Sequence, residues 1–225
     1  MSTIVVFGGG GFLGRRLVDR LTAEGMTVRV AVRHPDHARF DLRSMDFDRV
    51  TVIPADVCDR ASVAAALAGA DAAVNAVSTY VEKGGVTFQA VHVRGAENVA
   101  REAAAAGVAR LVLVSGIGAD LDSRSPYIRA RGSGELVVRQ AFPGATIVRP
   151  GAMFGPGDAL FGTLADLARL LPNCRSSAEA IPDCSQSLLK TWRRLSPAYS
   201  AIPKLSAGPT SLLVHECTRC ASWSA

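Results

Sequence analysis

Long hydrophobic runs are missing from this chain. No uncharged apolar stretch approaches the length of about 18 residues that a membrane-spanning helix needs, so no transmembrane segment is expected. Space for a secretory signal is missing too, because Met1-Ser2-Thr3 leads directly into the first apolar run. Charge of one sign is nowhere blocked. The 25 Lys and Arg against 20 Asp and Glu leave a net charge of +5. The arginines are scattered, which argues against nucleic acid as a partner. Cysteine is scarce: Cys58 stands alone up to residue 172. These absences point to a cytoplasmic protein, a compartment that keeps thiols reduced. Apolar residues, in contrast, make up 48% of the chain. Its 225 residues allow one α/β domain plus a fragment of a second.

The most informative segment is Gly8-Gly9-Gly10-Gly11-Phe12-Leu13-Gly14. It follows Thr3-Ile4-Val5-Val6-Phe7, which reads as a strand, and precedes Arg15-Arg16-Leu17-Val18-Asp19-Arg20-Leu21, which reads as an amphipathic helix. Strand, tight glycine turn and helix together form the geometry that holds a dinucleotide pyrophosphate. Gly8 permits the sharp exit from the strand. Gly11 leaves no β-carbon between backbone and phosphate, and Gly14 lets the helix pack closely on the sheet. Amides from Gly11 to Leu13, Phe12 included, are expected to face the phosphates with the helix dipole behind them.

Val/Ile-rich runs predict strands at 4–8, 27–32, 50–54, 72–77, 110–115 and 145–149, with helices at 12–24, 60–68, 86–106 and 128–141. Such runs show little alternation, as expected for strands buried on both faces of a parallel sheet. Gly107 is placed to stop the Ala-rich third helix. The expected fold is α/β: a Rossmann-like doubly wound parallel sheet over residues 1–155, with an incomplete C-terminal lobe.

The second strand runs into Arg33. A basic residue there suits the 2′-phosphate of NADP, whereas an acidic one would bind the ribose of NAD. Arg33 could also stack on adenine with NAD bound, so the cofactor is NADP or NAD. Asp56 is placed to accept from the adenine amino group. Asn75 and Ala76 end the fourth strand, where they can lie against the nicotinamide-side ribose. Ser115 ends the fifth strand, and Tyr127 and Arg131 are i,i+4 neighbours on the next helix. In a hydride-transfer site Tyr127 would act as acid or base and Ser115 would orient the substrate oxygen. Arg131 would lower the tyrosine pKa and hold the ribose. A packed tyrosine beside a surface arginine is the plain structural alternative.

These residues, together with Asp56-Val57, Arg149-Pro150, Phe154-Gly155-Pro156, Val91–Val99, Leu113–Ala119 and Ser125–Gly132, resemble the extended or atypical short-chain dehydrogenase/reductase superfamily. Within it the chain is similar to the NAD(P)-binding 39 kDa-type subunits of respiratory complex I and their bacterial relatives, over residues 3–172. His92 stands where extended members often carry Asn, and Arg131 replaces the usual Lys of Tyr-x-x-x-Lys. The resemblance implies a tightly held NADP(H) or NAD(H) that is largely structural, with Val57 at the cofactor. It also implies a role in complex I or ubiquinone metabolism, and a position that is cytoplasmic or peripheral at the inner membrane. An active reductase, epimerase or dehydratase using Tyr127, and an NmrA-like redox-sensing protein, are the alternatives.

Residues 156–172 read as the start of a substrate-side lobe. Beyond them the character changes: 173–225 holds one glycine, ten serines and four of the five cysteines. Out-of-frame translation past residue 172 is the leading explanation, with poor order expected there. His215-Glu216-Cys217-Thr218-Arg219-Cys220 has zinc-ligand residue types, but lacks the structural frame of a site, so no metal is expected.

Overall fold

The computed structural model describes residues 2–35, 48–153 and 212–219, the last of these as backbone. The chain divides into two compact units, Met1–Arg149 with His215–Ala225, and Pro150–Val214. In order, the elements are β1 (Thr3–Phe7), α1 (Phe12–Ala23), β2 (Thr27–Val32), β3 (Val50–Pro54), α2 (Arg60–Leu67) and β4 (Ala72–Asn75). A π-helical segment (Gln89–Gly95) then runs into α3 (Ala96–Ala105). β5 (Arg110–Val114), α4 (Pro126–Ala141), β6 (Thr146–Met153) and β7 (Leu212–Arg219) follow.

The sheet order is β3-β2-β1-β4-β5-β6-β7. The five pairings from β3 to β6 are parallel. This is the doubly wound, Rossmann-like order. Val6 lies level with Val30 on one side and Val74 on the other. Side chains of β1 alternate between the faces, as the two-residue strand period requires. Val5 and Phe7 join Val63, Leu67, Val99, Ala103, Leu111, Val138 and Ile147 beneath α2, α3 and α4. Ile4 and Val6 join Val18, Leu21, Val28, Val30 and Val50 beneath α1. Burial on both faces is the reason these strands read as continuous apolar runs.

Several boundaries differ from those the apolar pattern predicts, each for a local reason. β4 ends at Asn75 because the Asn75 Oδ1 accepts the Val77 amide at 3.1 Å and turns the chain. α4 begins at Pro126, two residues early. Ser125 caps it by accepting the Ile128 amide, and Pro126 fills a first-turn position where no amide donor is needed. The single long helix expected over 86–106 opens with the wider π turn before it becomes α3. As expected, the chain leaves this helix at Gly107, with φ of +69°. β7 adds an edge strand beside β6. It lies in the serine-rich tail, where no strand was expected, although Leu212-Leu213-Val214 supplies a short apolar run. The remainder of 156–225, with the expectation of poor order, lies outside the described residues. No helix among the described residues is long and apolar enough to cross a membrane.

Glu135 of α4 is buried, and Arg149 of β6 meets it as a fork: Nε donates to Oε1 at 2.9 Å and Nη2 to Oε2 at 2.7 Å. The pair joins the last crossover helix to its strand. Removing Arg149 leaves the buried carboxylate, among the described residues, only the longer contact to Arg139 at 3.9 Å, which is costlier than never burying the pair. Arg149→Met is therefore expected to lower unfolding free energy by about 3 kcal/mol, read from urea melts.

Candidate functional site

The carboxyl ends of β1 and β4 are level, Phe7 with Asn75. From them the chain departs to opposite faces, to α1 on one and toward α3 on the other. A crevice at this reversal is where open α/β sheets bind ligands.

The glycine turn fills the β1 side of it. Gly8 has φ of +77°, and a β-carbon there would sit 3.0 Å from the Ala76 carbonyl, so the turn lies directly against the end of β4. A β-carbon on Gly9 would be 2.6 Å from Val30 Cγ1, and one on Gly14 would be 2.2 Å from the Gly8 oxygen. Gly11 differs: its β-carbon would meet only the Gly8 oxygen, at 3.2 Å, with open space beyond. The Gly11 amide donates to the Gly8 carbonyl at 3.0 Å and closes the turn. The Gly11 amide being taken, the donors an α-helix leaves without an internal acceptor here are the Phe12, Leu13 and Gly14 amides. The Arg16 guanidinium covers the Phe12 ring at 3.8 Å. A bare backbone concavity at a helix N-terminus, with its one open glycine, fits a diphosphate.

Arg33 is exposed just past β2, and Asp56 lies past the end of the neighbouring β3. Asp56 Oδ1 accepts the Cys58 amide at 2.9 Å, and Ser62 Oγ bridges the Asp56 amide and carbonyl. Val57 is buried against Gly95, and its carbonyl accepts from Asn98 Nδ2 at 2.9 Å. Burial, and then the Asp56 carboxylate, push the Cys58 thiol pKa up.

On the β4 side, Asn75, Val77, His92, Ser115 and Arg131 line a cavity of about 10 Å³, room for about one water. Ser115 and Arg131 are each 5% exposed. Among the described residues, the Ser115 hydroxyl and the Nε and Nη1 of Arg131 have no hydrogen-bond partner. Arg131 is held elsewhere: Nη2 donates to Ser78 Oγ at 2.8 Å, and its carbon Cζ lies 4.8 Å from the Tyr127 ring centroid. Three more rings surround Tyr127: Phe88 and His92 edge-on at 5.4 and 5.6 Å, and Tyr80 tilted at 5.6 Å.

The structure thus brings Asn75, Ser115, Tyr127 and Arg131 into one neighbourhood and groups Gly8 to Gly14 with Ala76. Arg33, Asp56 and Val57 lie at the far end of the crevice. Arg131 is a buried residue, which removes the surface-arginine alternative. Burial raises the Tyr127 pKa, and Arg131 only partly opposes this. At neutral pH the phenol is therefore protonated, able to donate a hydrogen bond but not to act as a ready base. Ser78, Tyr80, Phe88 and His92 are the neighbours that sequence reasoning did not place. The signals were local: Ser78 and Tyr80 lie three and five residues past the end of β4, Phe88 and His92 are four apart on one helical face, and His92 stood out as the residue where extended members often carry Asn. Among the described residues no group of His, Cys, Asp or Glu could hold a metal ion.

A family model described as NAD(P)H-binding matches residues 8–159. The 40 kDa subunit of mitochondrial NADH-ubiquinone oxidoreductase from Neurospora crassa is 34% identical over 169 residues, 75% of this chain and 45% of that protein. A ceramide reductase from Caulobacter vibrioides is 35% identical over 172 residues, 76% of this chain and 52% of that protein. Among solved structures, a double mutant of the dTDP-glucose 4,6-dehydratase of Streptomyces venezuelae with NAD bound superposes with a TM-score of 0.59. It is 26% identical and covers 72% of this chain and 61% of its own. The chain spans about half the length of the curated relatives it matches. With the doubly wound order and the glycine turn at its reversal, the family match makes this chain a member of the NAD(P)H-binding family of the short-chain dehydrogenase/reductase superfamily, related to the complex I subunit-like proteins.

Proposed function

We propose that the chain holds NAD(P) across the β1–β4 crevice as a structural nucleotide, in a role tied to respiratory complex I or ubiquinone metabolism. The observation that carries the reading is the glycine turn, where a β-carbon on Gly11 would meet only the Gly8 oxygen, at 3.2 Å, while Gly8, Gly9 and Gly14 are closed more tightly by backbone or by Val30. The Phe12 and Leu13 amides and the positive end of α1 would receive the diphosphate. Asp56 and Val57 would sit at the adenine. Arg33 would meet the 2′-phosphate of NADP or stack on the adenine of NAD. Asn75 and Ala76 would lie along the nicotinamide-side ribose, with Arg131 supplying charge and hydrogen bonds to its hydroxyls.

A bound nicotinamide supplies or accepts a hydride, and a partner group must then move a proton. The state of Tyr127 supports retention over turnover: burial holds its proton on, and the cation beside it is spent on Ser78 and the ring face. The likeness to the Neurospora subunit supports the link to the respiratory complex; a peripheral position at the inner membrane is part of the same proposal. A second reading, an active reductase, draws on Ser115 and Arg131 lining one cavity beside Tyr127, and on the likeness to the Caulobacter reductase.

Nucleotide released by heat from purified chain is expected to be NADP or NAD by mass spectrometry, unchanged in redox state after incubation with ketone or aldehyde substrates. Chain that takes up neither nucleotide would overturn the reading. Gly11→Val is expected to weaken nucleotide binding about tenfold or more, about 1.4 kcal/mol, with thermal stability kept. Gly14→Ala instead costs about 3 kcal/mol of stability, because its methyl group meets backbone that cannot yield. Calorimetric titration and thermal melts separate the two effects. Tyr127→Phe is expected to leave nucleotide content unchanged. Loss of a measurable reductase rate in that variant would establish the second reading.

A further inference from the structure

We propose that His92 is a positioning residue: its ring, bonded to the Thr79 backbone, holds segment 78–80 where that segment fixes both Arg131 and Tyr127, and proton uptake by the ring loosens the assembly. His92 Nε2 lies 3.0 Å from the Thr79 carbonyl oxygen and 3.4 Å from the Thr79 amide. The shorter contact makes Nε2–H a donor to that carbonyl. Each neighbour of Thr79 holds one of the two groups. Ser78 Oγ accepts from Arg131, and the Tyr80 ring lies on Tyr127. Thr79 itself ties the segment onward through its hydroxyl, which donates to the Val81 carbonyl at 2.8 Å. The His92 ring also packs edge-on against Tyr127 and beside Phe88.

The ring has little freedom to move away. His92 is buried within the π-helical segment, whose backbone approaches α4 so closely that a β-carbon on Gly134 would stand 2.0 Å from the His92 carbonyl oxygen. The groups facing it are Asn75 of β4, Ser115 just past β5 and Tyr127 with Arg131 of α4, none of them acidic. Arg131 makes no ion pair among the described residues. A proton on His92 therefore places a second uncompensated cation in this pocket. Burial and the Arg131 charge lower the His92 pKa, against the pull of the Thr79 carbonyl. The sign follows from linkage. With the folded value depressed below the ordinary 6.5 or so, His92 contributes stability above that value and loses it as pH falls through the folded one.

The test is nuclear magnetic resonance of the full chain without nucleotide, with His and Tyr rings labelled, from pH 8 to pH 5. Tyr127 ring signals are expected to move with the midpoint of His92. His92→Gln keeps an amide donor for Thr79 and cannot titrate, so its Tyr127 signals should match wild type at pH 8 and stay flat on acidification. His92→Phe should displace them at pH 8 already. Tyr127 signals that stay still through the wild-type His92 titration would overturn the proposal. So would signals that move equally in His92→Gln, or that remain in place in His92→Phe. The wild-type titration decides even if a variant does not fold. The proposal meets the nucleotide reading in a second arm: NADH affinity should fall severalfold on acidification in wild type and not in His92→Gln. Chain that binds no NADH at any pH would remove the nucleotide reading, and the resonance titration would still decide the role of His92.

Discussion

Helix α1 can start where it does only because residue 14 has no side chain. The Gly14 backbone comes so close to the Gly8 carbonyl that even a methyl group would lie 2.2 Å from the oxygen. That contact sets the angle at which α1 leaves the sheet. It also aims the unsatisfied amides of the first turn at the crevice between β1 and β4. Gly8 adds the second half of the constraint, bringing the turn against the Ala76 carbonyl and so tying it to the neighbouring strand. A diphosphate site of this kind needs no charged side chain. It needs backbone brought close and kept bare, and here four residues of one type achieve that.

Two arginines, one buried and one half-buried, are treated in opposite ways and explain how the rest of the pocket is stabilised. Arg149 is neutralised by a two-point fork to Glu135, and the pair joins α4 to β6. Arg131, on the same helix as Glu135, is buried with a hydroxyl and an aromatic face as partners. An uncompensated interior charge is expensive, and it sets the protonation of its neighbours: it opposes a proton on His92 and partly offsets the burial that keeps one on Tyr127. The aromatic box of Tyr80, Phe88, His92 and Tyr127 is thus an electrostatic arrangement as well as a packed one.

What this chain shares with its relatives is the span matched by the NAD(P)H-binding family. Residues 8–159 carry the family match, while the curated relatives run on to about twice the length. Among the described residues, the aromatic box stands beside a cavity of about 10 Å³, room for about one water.

The sequence by itself determined the fold class and the turn, while the strand order came from the structure. The first two rest on local rules: Val/Ile runs for doubly buried strands, glycines where a β-carbon cannot fit, and Gly107 to end a helix. Asn75, Ser115 and Tyr127 were legible as site residues because they sit at strand ends or open the helix that follows. Only the tertiary structure decided what surrounds them. That Arg131 is buried, that Ser78 holds it, that Gly134 admits the π-helical backbone and that His92 reaches Thr79 are contacts between residues 13 to 53 positions apart. No local pattern encodes them, because each depends on how closely two helices and a strand end approach once the core has packed.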